Sequence, residues 1–258
     1  IGFGIGLNAV ISYYLGAGDK KAAGCAATQG LALTMLHAVI LTIGSLLVIE
    51  RFLRMFSSSE TVIDLGVRYS RIIFLFTIAI MANLYFEKVF QAVGRMKVTM
   101  TGMMIGCIVN IILDPLLIFG IGPFPALKVT GAAIATIIAQ MVVTLLFLFF
   151  ASQDQILFHH IHLLQAPDSK KASEILQLGF PSCLQSLVFT GISMTIARLV
   201  AGYGDAAVAV QKVGAQIESI SWMTSDGFAS AVNSFIAQNH GAGKEDRIHA
   251  GYRSALKI

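Results

Sequence analysis

The sequence predicts an all-α integral membrane protein, a helical bundle built as two related lobes. Three observations lead there. Only 12% of the residues are charged, against about 25% in a typical soluble domain, while 56% are hydrophobic and the mean hydropathy is +0.77. Long stretches lack Asp, Glu, Lys and Arg altogether: 22–49, 72–86, 98–113, 129–152 and 175–197. Finally, GFGIGLNAVISYYLGAG at 2–18 returns as GFASAVNSFIAQNHGAG at 227–243, with seven of seventeen positions identical and a period of 225. A chain this poor in charge cannot coat itself with solvated groups, and most of its charge-free stretches suit the roughly 17–25 residues that cross a bilayer as helix. Recurrent Ala, Gly, Ser and Thr, as in GCAATQGLALT and GAAIATIIA, favour close helix packing over a β-barrel. A secretory leader is not indicated, since Ile-Gly-Phe opens the chain without a basic n-region or a cleavage pattern.

Taken in order, the elements predicted are helices over 1–15, 24–49, 67–90, 98–119, 129–151, 172–201 and 206–239, with another starting at 247. That makes about seven spans and the start of an eighth. The repeated phrase closes the first and the seventh, six crossings apart. Both copies therefore enter the membrane in the same sense, which makes the repeat parallel, about a pseudo-twofold axis along the membrane normal. Two units of 225 residues exceed the 258 present, so the chain is expected to be part of a longer protein. Residues 1–151 form an amino-terminal lobe, 152–174 a cytoplasmic linker, and 175–258 the start of a carboxyl-terminal lobe. One alternate set of loops carries Lys20, Lys21, Lys88, Arg95, Lys97, Lys170, Lys171, Lys244 and Arg247. The other carries Arg51, Arg54, Arg68, Arg71 and Lys128. Nine against five places the first set in the cytoplasm. The net charge of +4 reflects this bias, and no basic run with interleaved aromatics points to nucleic acid.

Few residues offer covalent chemistry. Cys25, Cys107 and Cys183 are far apart inside apolar spans, which suits packing and implies neither disulfide nor CxxC site. His159, His160 and His162 form HHxH without a nearby Cys or carboxylate to complete a metal shell, and His37 stands alone in an apolar helix. No nucleophile elbow, phosphate loop or zinc-protease pair is present. An enzyme is not expected, nor a cofactor.

The intramembrane polar residues carry more information. Asn110 and Asp114 lie one turn apart on one helix face, with Pro115 directly after. A carboxylate at such depth is costly and normally faces a bundle interior or wet cavity on an ion pathway, although a cap at a helix end is the competing account. Gln211, Glu218, Trp222, Asp226 and Asn233 fall close to a helical stripe. Charge plus an indole ring suits one wall for an organic cation, against an acidic pair satisfied elsewhere with Trp222 as packing. Pro181 is expected to kink the sixth span beside Ser182 and Gln185, a further polar side chain for a cavity or for helix contact.

LDPLLIFG followed by GAAIATIIAQ, the two phrases ending in Gly-Ala-Gly, the RMK after the third span and the LGFP of the sixth together resemble the multidrug and toxic compound extrusion (MATE) family, of prokaryotic type. The resemblance covers essentially the whole chain, from the second of that family's twelve helices to the start of the ninth. It implies two six-helix lobes forming a V, and a secondary antiporter that expels cationic or amphipathic drugs in exchange for Na+ or H+. It also implies that Asn110, Asp114 and Thr136 belong to a cation-coupling site of the amino-terminal lobe. The cavity candidates are Glu218, Trp222, Asp226 and Gln185. Some branches place a coupling Glu in the seventh helix, but 175–197 has no carboxylate here. The partners implied are small organic cations or drugs and the lipid bilayer; the full-length protein is expected to be a monomer in a bacterial inner membrane. A lipid-linked oligosaccharide flippase of the same superfamily and a membrane channel or structural subunit are the alternatives.

Overall fold

The computed structural model describes residues 2–55, 59–154, 157 and 168–257. The described residues form nine α-helices: α1 Gly2–Gly16, α2 Lys20–Arg54, α3 Glu60–Leu75, α4 Thr77–Ala92, α5 Met96–Phe119, α6 Val129–Ser152, α7 Ser169–Ala201, α8 Asp205–Gly241 and α9 Glu245–Ala255. Four of them, α2, α5, α6 and α7, are long and apolar enough to cross a membrane, and α3 with α4 makes a fifth candidate if the pair counts as one span. Where the hydropathy predicted one helix over 67–90, α3 and α4 meet at Phe76 with a bend of 54°. Thr77 Oγ1 donates to Phe74 O across the break (2.8 Å) and Thr42 Oγ1 donates to the same carbonyl (3.1 Å), which also accepts a backbone N–H at the helix end, so the bend leaves this carbonyl well satisfied. Most of the expected linker, including the HHxH stretch, lies outside the described residues.

The chain forms two compact units, one of Ile1–Ala27, Gln91–Gly94 and His160–Ile258, the other of Thr28–Phe90 and Arg95–His159. In the second unit α5 and α6 are an antiparallel pair drawn together by glycines. A Cβ on Gly102 would meet the Phe147 ring at 2.5 Å, one on Gly106 would meet Val143 at 2.5 Å, and one on Gly131 would meet Leu117 O at 2.4 Å. Small residues let backbones approach where lipid offers no hydrophobic drive. Phe90, Val143, Phe147 and Ala151 form a buried cluster at one end of this pair. Nearby, the fully buried Asp154 is 3.0 Å from Arg95 Nη2 and accepts from Leu157 N (3.0 Å), closing the unit at the end of α6.

In the first unit α1 packs against α7 and α8. The repeated phrase explains how. Asn233 Nδ2 donates to Asn8 Oδ1 (2.8 Å), so the two asparagines that the repeat sets 225 apart bond to each other. A Cβ on Gly16 would lie 1.9 Å from Gln238 O, and one on its counterpart Gly241 would lie 2.0 Å from Tyr13 O. Tyr13 and Gln238 are themselves 225 apart. Each contact thus has its repeat-related mate, as two parallel helices about a twofold axis require. Ala92 O, at the end of α4, accepts from Ser12 Oγ (3.3 Å) and Gln238 Nε2 (2.7 Å) in the same seam. The closing glycines do something else: Gly18 (φ 79°) and Gly243 (φ 66°) take the left-handed conformation that turns the chain out of each helix. From the last turn of α1, Tyr14 Oη donates to Glu174 Oε2 (2.9 Å) and Lys171 Nζ is 3.2 Å from the same carboxylate, tying α1 to the first turns of α7.

Candidate cation and substrate cleft

Three helices of the second unit each offer a helical stripe to one cleft. Ile80, Asn83, Leu84 and Glu87 come from α4, Met103, Gly106, Cys107 and Asn110 from α5, and Thr136, Ala139, Gln140 and Val143 from α6. Every set follows the i, i+3, i+4, i+7 pattern of one helix face. The cavity measures about 370 Å³, within the range of small-molecule sites. Its walls are apolar and sulfur-rich, with Met81 and Met103 among them, and its polar groups are Asn83, Glu87, Asn110, Thr136 and Gln140. Gly106 is one reason the cleft exists, since hydrogen in place of a side chain lets Val143 settle against α5.

Asn110 and Thr136, expected from sequence, are both in this lining. Asp114 follows Asn110 by one turn on the same face of α5, just beyond the lining residues. The α5–α6 register, set by Gly102 with Phe147, Gly106 with Val143 and Leu117 with Gly131, brings Thr136 to the depth of Asp114. Thr136 Oγ1 bonds back to Ala132 O (3.0 Å), which leaves the oxygen's lone pairs for a further ligand. Asp114 Oδ1 is buried and has no hydrogen-bond partner among the described residues. A buried carboxylate oxygen without a donor is expensive, and the cost is removed by a proton or a metal ion. Pro115 contributes by lacking the N–H that would otherwise bond to the carbonyl four residues back, which frees backbone oxygen in the same turn.

Three cleft residues escaped the sequence reading. Asn83 donates through its amide to the Gln140 side-chain carbonyl, a bond between α4 and α6 inside the lining. Glu87 falls inside the helix expected over 67–90, and α4 runs past it to Ala92, but the sequence reading gave it no place in a site. Its side chain is only 15% exposed and Lys88 Nζ is 3.1 Å from its Oε1. The legible signal was the spacing from Ile80 through Asn83 and Leu84 to Glu87, which extends the helix face past the first charge.

The remaining candidates lie in the first unit. Trp222 Nε1 donates to Glu218 Oε1 (3.0 Å), so these two do meet, and the indole ring is 6.0 Å from Phe189 at a tilt of 58°. Glu218, Trp222 and Asp226 on α8 and Gln185 on α7 are exposed; the cleft described above contains none of the four.

An apolar helical bundle with a polar-tipped cleft fits a membrane transporter. The comparisons agree. The MatE family model matches residues 1–116 and 181–258, and the chain belongs to that family, whose members are transporters and not enzymes. A FAD transporter of Shewanella oneidensis is 29% identical over 264 residues, covering all of this chain and 57% of the relative. The multidrug export protein MepA of Staphylococcus aureus is 27% identical over 245 residues, covering 94% of this chain and 53% of its own length. A solved outward-facing multidrug resistance MATE transporter superposes with a TM-score of 0.88 at 27% identity, covering all of this chain and 56% of that one. A MOP superfamily transporter from Pyrococcus furiosus, described as having a binding pocket of reversed polarity, gives 0.86 at 26% identity over all of this chain and 56% of its own. The chain spans about half the length of the curated relatives it matches.

Proposed function

We propose that this chain forms the cation-coupling part of a secondary antiporter that exports cationic or amphipathic organic compounds in exchange for Na+ or H+. The observation that carries this reading is the buried, unpartnered Oδ1 of Asp114 one turn beyond a cleft lined by Asn110 and Thr136. In the dry interior such an oxygen binds a proton or a small cation, and rearrangement of α5 or α6 changes how well it does so. Glu87 gives the cleft acidic character, and Met81, Leu84 and Met103 offer adaptable apolar surface. That polarity favours a positively charged cargo over an anion. The FAD-transporting relative makes an anionic cargo the specific competitor, and a flippase for pyrophosphate-linked lipids would need the same reversal of charge.

The protein works in this proposal as a monomer in a bacterial inner membrane, with 1–151 in one lobe, 152–174 as the linker and 175–258 opening the second. About seven membrane crossings and the start of an eighth fall within the chain, α1 and α8 included. Glu218, Trp222, Asp226 and Gln185 supply polar groups toward the second lobe's side of the pathway. The chain alone is expected to confer no drug efflux, and a version extended to the length of its relatives is expected to confer it. In the extended protein, reconstituted in vesicles under Na+ and H+ gradients, Asp114→Asn keeps the side-chain shape and abolishes gradient-driven dye efflux, while Asp114→Glu retains part of it. Wild-type rates in Asp114→Asn would remove Asp114 from the mechanism.

A further inference from the structure

Lys88 is a charged residue that the proposed function leaves without a role. It follows Glu87 in α4, and is buried, yet its ammonium reaches within 3.1 Å of the one carboxylate among the residues lining the cleft. An ion pair in such a place has two consequences. It lowers the cost of holding Glu87 charged at low dielectric, because each charge compensates the other. It also means that an incoming cation meets a carboxylate whose attraction is already engaged.

We propose that Lys88 is a built-in competitor for Glu87 and so sets which cations the cleft accepts. This inference rests on the cleft being the cargo site. A compact ammonium is a strongly hydrated point charge, so a small hydrophilic cation gains little by taking its place: it brings the same charge, loses its own hydration and adds no apolar contact. A bulky organic cation differs. Its charge is spread and weakly hydrated, and it covers Met81, Leu84 and Met103 as it arrives, adding a hydrophobic gain of roughly 25 cal/mol per Å² buried. The Glu87–Lys88 pair therefore acts as a threshold that amphipathic cations clear and small ones do not. Lys88 determines specificity through Glu87 without having to touch the cargo.

The test is equilibrium binding to the purified chain in detergent, with tetraphenylphosphonium as the bulky cation, tetramethylammonium as the small one and triphenylphosphine oxide as a neutral analogue. Lys88→Gln is expected to tighten both cations by about five- to hundredfold, the usual size of a coupling between groups, and to favour the small one more, so that the selectivity ratio falls. Glu87→Gln is expected to weaken both cations, and the double variant to match Glu87→Gln alone. The neutral analogue should bind all variants alike. Loss of cation preference in none of the variants would overturn the cargo-site reading itself. Weakening by Glu87→Gln, with no tightening or no fall in selectivity from Lys88→Gln, would overturn only the role given to Lys88. Should Lys88→Gln fail to fold, Lys88→Arg keeps the charge and pairs with Glu87 through a fork of donors; it is expected to bind tetraphenylphosphonium more weakly than wild type, and equal or tighter binding would overturn the proposal.

Discussion

Asn8 accepts from both Asn233 Nδ2 (2.8 Å) and Ser234 Oγ (3.1 Å) in a nearly solvent-free seam. Replacing it with Ala removes the acceptor of Asn233 and one of the two within reach of the Ser234 hydroxyl, the other being Ser230 O (3.1 Å). Interhelical hydrogen bonds in membrane proteins are worth about 0.6–2 kcal/mol each, so Asn8→Ala is expected to lower the melting temperature in detergent by several degrees, with Ser234→Ala losing about half as much. Asp154 makes a second residue-level case. Asn at that position still accepts from Leu157 N (3.0 Å) but forfeits the ion pair with Arg95 (3.0 Å). Arg95 is partly exposed, so the pair is discounted for screening, and Asp154→Asn should cost less in thermal stability than Asp154→Ala. Equal melting temperatures for the two would remove the Leu157 bond from the account. At this scale the sequence singled out the polar residues that interrupt an apolar span, Asn110 and Asp114. It was uninformative at Glu87, where a charge near the end of an expected helix, next to a Lys, gives no sign that its side chain is buried and lines a cleft.

Glycines decide where the helices touch. Gly16 and Gly241 face backbone carbonyls at 1.9 and 2.0 Å from an added Cβ, and a carbonyl cannot rotate aside as a side chain can. Gly16→Ala or Gly241→Ala is expected to force α1 and α8 apart at a cost of roughly 1–3 kcal/mol or more. Gly44 in α2 has nothing within 4 Å of an added Cβ among the described residues, and Ala there should be neutral or stabilising by about 0.5–1 kcal/mol. Thermal unfolding of the three variants checks the contrast. The phrase Gly-Ala-Gly was legible as architecture, yet its two glycines have different jobs: the first permits close packing and the second a left-handed turn. Pattern alone does not separate these, because the need for a missing Cβ arises in one case from a neighbouring helix and in the other from φ. The break at Phe76 was invisible for a related reason. The hydropathy of 72–86 is continuous, and hydroxyls from Thr42 and Thr77 on the Phe74 carbonyl, one of them distant in sequence, compensate the bend.

At the scale of the whole molecule, the repeat and the apolar composition carried the helical class and the family, because a bilayer leaves a chain few ways to satisfy its backbone. The cleft was only partly legible, since it takes stripes from three helices and the sequence shows each stripe separately. Its central claim is that cargo and coupling ion compete through Asp114. Linkage makes that measurable without transport: if both cannot be held at once, each weakens the other by the same factor. The direct measurement is the affinity of the purified chain for tetraphenylphosphonium, titrated with Na+ at constant ionic strength and, separately, with H+. The account predicts that affinity falls by about five- to hundredfold as one of these ions saturates its site, and that Asp114→Asn loses the Na+ dependence and, with Glu87→Gln removing the other carboxylate of the cleft, the H+ dependence. The same ion dependence in Asp114→Asn as in wild type would contradict it.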